Sequence, residues 1–184
     1  MKICNLNKSF GQNVIFENLN LTIEENAITY VMGKSGIGKT TLLRIISGLD
    51  KEYTGEIKYS GKLSYVFQEP RLFPQLSVLE NLEVVNESPS IDKIKLLEML
   101  DLIGCENMMP HQLSGGMKMR LSIARALYYN PDVIIMDEPF ASLDETTKEK
   151  ITENIFLLLK NKTVIIVSHN LDDAQRYAKN IINL

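Results

Sequence analysis

Residues 27–47 of the chain read AITYVMGKSGIGKTTLLRIIS and contain three patterns in direct succession. The run Ala27–Met32 is apolar and short, which is typical of a strand buried on both faces. Gly33 ends this run abruptly, and two more glycines follow before residue 39. From Lys39 to Ser47, leucine and isoleucine recur at helical spacing, and Gly48 stops the helix. The stretch therefore predicts a strand, a glycine loop and a helix.

The glycine loop matches the pattern G-x-x-x-x-G-K-[ST] at every position, between a strand and a helix as that pattern requires. Glycine lets backbone N–H groups approach an anion closely, and the helix N-terminus adds the positive end of its dipole. We expect Lys39 to reach the β- and γ-phosphate oxygens and Thr40 to coordinate Mg²⁺. A chance glycine loop is the structural alternative. The predicted nucleotide site consists of Gly33, Lys34, Ser35, Gly36, Ile37, Gly38, Lys39, Thr40 and Thr41.

A second motif, VIIMDE at residues 133–138, places two carboxylates at the end of an apolar strand. Charges at such a position are costly unless they are paired or bound to a metal. Beside a phosphate loop, we expect Asp137 to hold Mg²⁺ through water and Glu138 to act as the general base for the attacking water. The alternative is that both residues only cap the turn at Pro139.

Composition limits what the rest of the chain can do. Its 184 residues, 45% of them hydrophobic, fit one domain, and a net charge of -3 offers no global attraction to nucleic acid or anionic lipid. Cys4 and Cys105 lack the spacing of a metal site, so we expect reduced thiols, as in the cytoplasm. No run approaches the roughly 20 apolar residues of a membrane span. We therefore predict no nucleic-acid partner, and a membrane contact only through another protein.

Strands and helices alternate along the chain, which predicts an α/β fold with a mostly parallel sheet flanked by helices. The alternation of Leu19, Leu21 and Ile23 with polar residues predicts an N-terminal β part. The run GEIKYSGKLSYVFQ, residues 55–68, predicts a β-hairpin around Ser60 and Gly61.

Helical periodicity between Ser77 and Asn130 predicts a small helical insert. After it, we expect a strand at residues 133–136, a helix through Leu159, a strand at TVIIV and a short helix from Leu171 to Ala178. We treat residues 1–184 as a single domain, with a helical subdomain at approximately residues 70–130.

The sequence LSGGM at residues 113–117, followed by ARAL at residues 124–127, closely resembles the signature of ABC ATPases, which is usually LSGGQ. Three more stretches resemble other motifs of that family and occur in its order. They are Gln68 in VFQEP for the Q-loop, Ala141–Asp144 for the D-loop, and His169 in TVIIVSHN for the switch histidine. The resemblance covers nearly the whole chain and implies a P-loop NTPase fold, ATP as the nucleotide, and Mg²⁺.

In proteins similar to this one, the signature serves a second subunit. The resemblance implies that Ser114, Gly115 and Gly116 present N–H groups to the γ-phosphate of ATP held by a partner ATPase subunit, most simply a second copy. This arrangement is a nucleotide-sandwich dimer. A lone Ser-Gly-Gly before a helix is otherwise an ordinary cap.

Three further roles come from the resemblance. His169 is expected to contact the γ-phosphate and position the attacking water. Gln68 is expected to bind the metal. Gln68 and Lys39 are also expected to be catalytic, together with Glu138. Phe10 in NKSFG matches the aromatic position that stacks on adenine. Without the family, His169 reads as a hydrogen-bonded polar residue, and core packing is the alternative for Phe10.

The chain departs from the usual family pattern at several positions. Met117 and Met119 stand where glutamine is usual, the D-loop has Ala-Ser instead of Ser-Ala, and Asn170 stands where aspartate often follows the histidine. These departures concern the fine contacts across the dimer.

The run QEPRLFPQLSVLENL, residues 68–82, is similar to importer ATPases of the nitrate, sulfonate and taurine group. There, similar residues face a transmembrane permease, and Arg71, Leu72, Phe73 and Pro74 would form an exposed surface for it. A covered loop within the helical insert is the alternative. The leading hypothesis is thus a cytoplasmic ATPase, peripheral at the inner face of the membrane, that powers a permease.

Two other functions remain as alternatives. A soluble ABC ATPase of an assembly or repair complex would need no permease, but such proteins often carry long coiled-coil inserts or paired domains. A regulatory nucleotide-binding module without turnover is disfavoured because Glu138 and His169 are both present.

Overall fold

Eight strands run through the chain in the computed structural model, which describes residues 1–85, 91–143 and 145–184. In chain order they are β1 (Lys2–Phe10), β2 (Asn13–Thr22), β3 (Ile28–Met32), β4 (Thr54–Lys58), β5 (Leu63–Val66), β6 (Val133–Asp137), β7 (Thr163–Val167) and β8 (Asn180–Asn183). They form two sheets. The smaller sheet has the order β2-β1-β4 and is antiparallel, and the larger has the order β5-β6-β7-β3-β8 and is parallel throughout.

Among the residues that the structure describes, six helices cover the larger sheet and build the insert. They are α1 (Lys39–Ile46), α2 (Val78–Glu83), α3 (Lys93–Met99), α4 (Gly115–Tyr128), α5 (Glu145–Leu158) and α6 (Leu171–Tyr177), with one 3₁₀ turn at Pro110–Gln112. The predicted α/β class, the parallel sheet, the N-terminal antiparallel part and the helical insert are confirmed. No helix among the described residues is long and apolar enough to cross a bilayer.

Strand β3, which lies between β7 and β8, separates two hydrophobic cores, because successive residues of a strand point to opposite faces. Tyr30 and Met32 join a core built largely by α2 to α5. Val31 joins the other core, which contains Leu42 and Leu43 of α1 and residues of the small sheet. The apolar run that ends at Met32 is thus covered on both faces, as its composition predicts.

The predicted hairpin at residues 55–68 is wrong. β4 pairs with β1 in the small sheet, whereas β5 pairs in parallel with β6 at the edge of the large sheet. The turn between them folds around Asp132, whose Oδ2 accepts a hydrogen bond from the Lys62 N–H at 2.7 Å. Gly61 has a φ of +94°, and a Cβ there would lie 2.3 Å from the same oxygen. The Ser60-Gly61 turn therefore carries the chain from one sheet to the other.

The helical insert packs around α4, which both α2 and α3 contact. Arg120 of α4 stabilises this packing, because its Nη1 donates to Asp101 Oδ2 at 2.8 Å and to the Asp101 carbonyl at 3.0 Å. α2 begins with a capping box between Ser77 and Glu80. That the insert forms a subdomain at approximately residues 70–130 stays a prediction.

Candidate functional site

The glycine loop turns the chain from the end of β3 into α1, whose N-cap is Gly38. Gly38 has a φ of +111°, and a Cβ there would lie 2.6 Å from Ile15 Cγ2 and 2.9 Å from Phe16 Cζ. Only glycine fits both the backbone conformation and this space. Because the cap carries no side chain, no side-chain acceptor satisfies the first N–H groups of α1, and they suit an anion.

The ammonium group of Lys39 lies inside the curve of this loop. The lysine is buried, and its Nζ donates to the Gly33 carbonyl at 2.8 Å and to the Lys34 carbonyl at 3.0 Å. The charge is thus fixed beside the open N-terminus of α1. A phosphate oxygen placed there meets both a full positive charge and the helix dipole.

Asp137 ends β6 as a buried carboxylate next to the loop. Burial raises the pKa of its carboxyl group, although hydrogen bonds from Thr40 and Tyr65 and the charge of Lys39 act in the opposite direction. The Tyr65 hydroxyl lies 3.5 Å from Asp137 Oδ2, which is the outer limit of a hydrogen bond. An added cation would stabilise this buried carboxylate in its charged form.

Glu138 follows in a left-handed conformation, with a φ of +48°. Its N–H donates to the Val167 carbonyl at 2.9 Å, which joins it to the end of β7. Oε1 is buried and has no hydrogen-bond donor among the described residues. Burial raises the pKa of this carboxyl group, and the charge and backbone N–H of His169 lower it. Burial thus makes this carboxylate more basic, and its Oε1 accepts no hydrogen bond from the described residues.

His169 lies next to this oxygen. Its Nε2 lies 3.4 Å from Glu138 Oε1, a contact with ion-pair distance but without hydrogen-bond geometry. The side chain is 59% exposed. The histidine can therefore contact both Glu138 and a group that enters from solvent.

One cleft of about 530 Å³ gathers most of the predicted site. It is lined by Ser35, Gly36, Gly38, Lys39, Thr40, Thr41, Gln68, Asp137, Glu138, Ala141, Val167 and His169. Gly33, Lys34 and Ile37 belong to the same loop but do not line the cleft. Of the D-loop, Ala141 lines the cleft, while Asp144 lies outside the described residues.

The signature residues and Phe10 lie apart from the cleft. Ser114 caps α4, and its Oγ accepts from the Met117 N–H at 3.2 Å. Ser114 and Gly115 are exposed. Phe10 is 52% exposed, with the Lys8 Nζ 4.5 Å from its ring centre, so it is not packed in the core. The roles of the signature in a second subunit and of Phe10 at adenine stay predictions.

The residues at the cleft fit Mg²⁺ that arrives with a nucleotide. The described residues contain no group of three or more His, Cys, Asp or Glu that could hold a metal by themselves. The Thr40 hydroxyl, the Asp137 carboxylate and the Gln68 amide supply the oxygen atoms that Mg²⁺ prefers. Mg²⁺ commonly binds through one or two carboxylates together with substrate phosphates, which matches this donor set.

The surface predicted at residues 71–74 is only partly exposed. Arg71, Phe73 and Pro74 are exposed, and Phe73 keeps 44% of its surface accessible. Leu72 is only partly exposed, because its side chain also packs against the core beneath, so it contributes less to this surface than expected. Apolar side chains bury themselves wherever the adjacent core offers room.

Sequence reasoning missed three residues that shape the site. Tyr65 contacts Asp137. The sequence feature that could have indicated it is an aromatic residue three positions before Gln68. Asn81 and Arg125 donate to or accept from the backbone of the loop that follows Gln68. Asparagine is a poor helix former, so its place inside an amphipathic helix was a signal of a tertiary hydrogen bond.

Comparisons with known proteins agree with this geometry. A family model described as ABC transporter matches residues 16–141. The aliphatic sulfonates import ATP-binding protein of a Bacillus cereus strain is 39% identical over 189 residues, covering 95% of this chain and 75% of that protein. The protein of the same description from Bacillus subtilis (strain 168) is 37% identical over 177 residues, covering 89% of this chain and 69% of that protein.

A solved structure extends the likeness to three dimensions. It is a dimeric ATP-binding cassette in a post-hydrolysis state, bound to ADP and Pi. It is 33% identical in sequence, has a TM-score of 0.84, and the match covers 100% of this chain and 93% of that chain.

Proposed function

The chain belongs to the ABC transporter family as an ATP-binding ATPase of the import type, and from this premise we propose that it powers a membrane permease by hydrolysing Mg-ATP. One observation carries the proposal. A single cleft is lined by six residues of the phosphate loop and the start of α1, together with Asp137, Glu138, Gln68 and His169.

We assign the binding of the phosphates to the loop and the start of α1. Lys39 is fixed by two loop carbonyls with its charge toward the helix N-terminus, where it neutralises the β- and γ-phosphates. Thr40, Asp137 and Gln68 would hold Mg²⁺. When bound, the metal supplies further charge for the transferred phosphoryl group and the leaving oxygen.

Glu138 is the proposed general base. Its Oε1 has no hydrogen-bond donor among the described residues, and burial makes the carboxylate more basic than an exposed glutamate. It can therefore orient a water molecule and accept its proton as the water attacks the γ-phosphate. His169, 3.4 Å from the same oxygen, would hold the water or the γ-phosphate in line.

A second copy of the chain completes the proposed site. Ser114 and Gly115 are exposed at the start of α4 and do not line the cleft, so within one chain they contact no nucleotide. Two chains facing each other would bring each signature to the other chain's γ-phosphate, and the dimeric cassette of similar fold supports this arrangement.

The permease is proposed to bind at the exposed loop of Arg71, Phe73 and Pro74. The relatives are import ATP-binding proteins, and the chain's own described helices do not span a bilayer. We infer a peripheral position at the inner face of the cell membrane, held by transmembrane permease subunits. The names of the relatives make an aliphatic sulfonate the first cargo to test.

Reconstitution tests the proposal. The chain is combined in vesicles with the permease of an aliphatic sulfonate importer, and phosphate release is measured together with uptake of a labelled aliphatic sulfonate. Glu138→Gln should lower turnover at least roughly 10²-fold, the usual scale for a positioned general base, and stop uptake. Arg71→Glu should reduce uptake more than the turnover of the isolated chain. Equal loss of both in Arg71→Glu would make the loop structural, and unchanged turnover in Glu138→Gln would remove it as the base.

A further inference from the structure

The segment between the cleft and α2 is held by side chains of two helices. Residues 67–77 contain no strand and no helix, although they connect Gln68 in the cleft with the exposed Arg71 and Phe73. A connection of this kind has no backbone ladder to fix its position. Its shape depends on the groups that bind it, and those groups come from α2 and α4.

Asn81 of α2 binds the segment from below. It is fully buried, and its Oδ1 accepts from the Phe73 N–H at 2.9 Å. Its Nδ2 donates to the carbonyls of Phe73 at 3.1 Å, Leu76 at 2.8 Å and Ser77 at 3.0 Å. One side chain thus pairs with both backbone groups of Phe73, as a neighbouring strand would.

Arg125 of α4 also contacts this segment and the Asn81 side chain. Its Nη1 lies 3.3 Å from Asn81 Oδ1, and its Nη2 donates to the Arg71 carbonyl. The guanidinium also lies over the Phe73 ring, 5.0 Å from its centre. Burial lowers the pKa of this group, and no carboxylate among the described residues lies within ion-pair distance of it. Among the described residues, the contacts of this half-buried cation are to the segment and to Asn81.

The same helix carries the signature at its other end. Ser114 caps α4 and Arg125 lies eleven residues further along, which in a straight helix is about 16 Å. A helix of this length moves as a rigid rod. Whatever shifts Ser114 therefore shifts Arg125, and with it the Arg71 carbonyl and the Phe73 ring.

We propose that Asn81 and Arg125 act as a clamp that makes the 69–77 segment and the signature helix one moving unit. They are positioning residues, and the inference rests on the proposed shared ATP site and permease-binding loop. In the clamped chain, engagement of the signature by nucleotide is transmitted to the surface at Arg71 and Phe73. Movement of that surface is transmitted back by the same contacts.

Arginine is required by this geometry. Its planar fork reaches two acceptors while its face covers an aromatic ring, and a lysine ammonium cannot do all three at once. Arg125→Lys therefore keeps the charge but loosens the clamp. Phe73→Leu removes the ring under the guanidinium at an exposed position, and serves as a second variant that folding tolerates.

Hydrogen–deuterium exchange tests the clamp in the Glu138→Gln chain, which retains ATP. Exchange is followed by mass spectrometry in segments 69–77 and 113–119, with and without Mg-ATP. In the parent we expect Mg-ATP to slow exchange in both segments, by about tenfold, an ordinary size for allosteric coupling. With Arg125→Lys or Phe73→Leu added, segment 113–119 should still respond, and segment 69–77 should lose its response.

Arg120→Lys is the matched control, because Arg120 lies on the same helix and binds Asp101 instead of the segment. It should respond as the parent does. Two results would overturn the clamp and leave the proposed function standing. In the first, segment 69–77 does not respond to Mg-ATP in the parent. In the second, it responds as strongly in Arg125→Lys and Phe73→Leu as in the parent. If segment 113–119 of the parent does not respond to Mg-ATP, the shared site of the proposed function fails, and the clamp falls with it.

Discussion

Glu138 has opposite effects on chemistry and on stability. Its Oε1 is buried without a hydrogen-bond donor among the described residues, and burial raises the pKa of the carboxyl group. The folded chain therefore binds this proton more tightly than the unfolded chain. Above the folded pKa the charged form costs stability, and the cost disappears as the pH falls through the folded pKa toward the ordinary glutamate value.

Glu138→Gln should therefore stabilise the nucleotide-free chain at neutral pH. We expect a gain of about 1 kcal/mol, at the lower end of the cost of burying a polar group, because glutamine removes the charge that burial disfavours. The gain should shrink near pH 4.5, the ordinary pKa of glutamate. Urea unfolding at both pH values measures it. The exposed Glu98→Gln is the control and should change little at either pH. A gain that is equal at both values would contradict the explanation by charge.

Lys39→Ala should abolish tight ATP binding. The ammonium group is held in the loop by the carbonyls of Gly33 and Lys34, beside the open N-terminus of α1. Losing its charge-assisted bonds should weaken binding by about 100-fold or more. Titration with a fluorescent ATP analogue measures the affinity, with the exposed Lys51→Ala as the matched control. Unchanged affinity in Lys39→Ala would remove this loop as the phosphate site.

At the scale of elements, the turn between β4 and β5 decides how the two sheets are joined. Gly61→Ala should destabilise the chain by more than Gly104→Ala does. Both glycines have positive φ, but a Cβ at residue 104 meets nothing within 4 Å, whereas at residue 61 it meets the Asp132 carboxylate. We expect about 1–2 kcal/mol for the backbone conformation alone and about 1–3 kcal/mol more for the overlap at Gly61.

Urea unfolding of the two variants gives the comparison. Equal losses would show that Asp132 moves aside freely and that the turn does not depend on it.

The sequence predicted those elements whose signals are local. The phosphate loop needs only its own residues and the strand and helix beside it, and both are where the pattern places them. The β4–β5 connection was mistaken for a hairpin because a Ser-Gly turn looks the same whether its strands pair or separate. What separates them is Asp132, which lies far along the chain. The contacts of Asn81 and Arg125 could not be predicted for the same reason.

At the scale of the whole molecule, ATP should act as the link between two chains. In Glu138→Gln the nucleotide is retained, and the exposed Ser114 and Gly115 are free to engage it on a partner. Dimers should therefore accumulate with Mg-ATP, as size-exclusion chromatography with light scattering would show. Adding Ser114→Arg should abolish the dimer and leave binding at the phosphate loop intact. A chain that binds ATP yet stays monomeric at high concentration would argue against a shared homodimeric site.

The place of β3 between β7 and β8 has a consequence for how the chain is made on the ribosome. β3, which leads into the phosphate loop, pairs with these two strands in the large sheet, and both follow β6 in the chain. Until residues 163–167 emerge, nothing in that sheet joins β3 to β6 and its carboxylates. Nascent chains should therefore expose unpaired strands, a state that attracts chaperones and proteases. ATP can protect the protein from degradation only after β7 has been translated and joins β3 to β6.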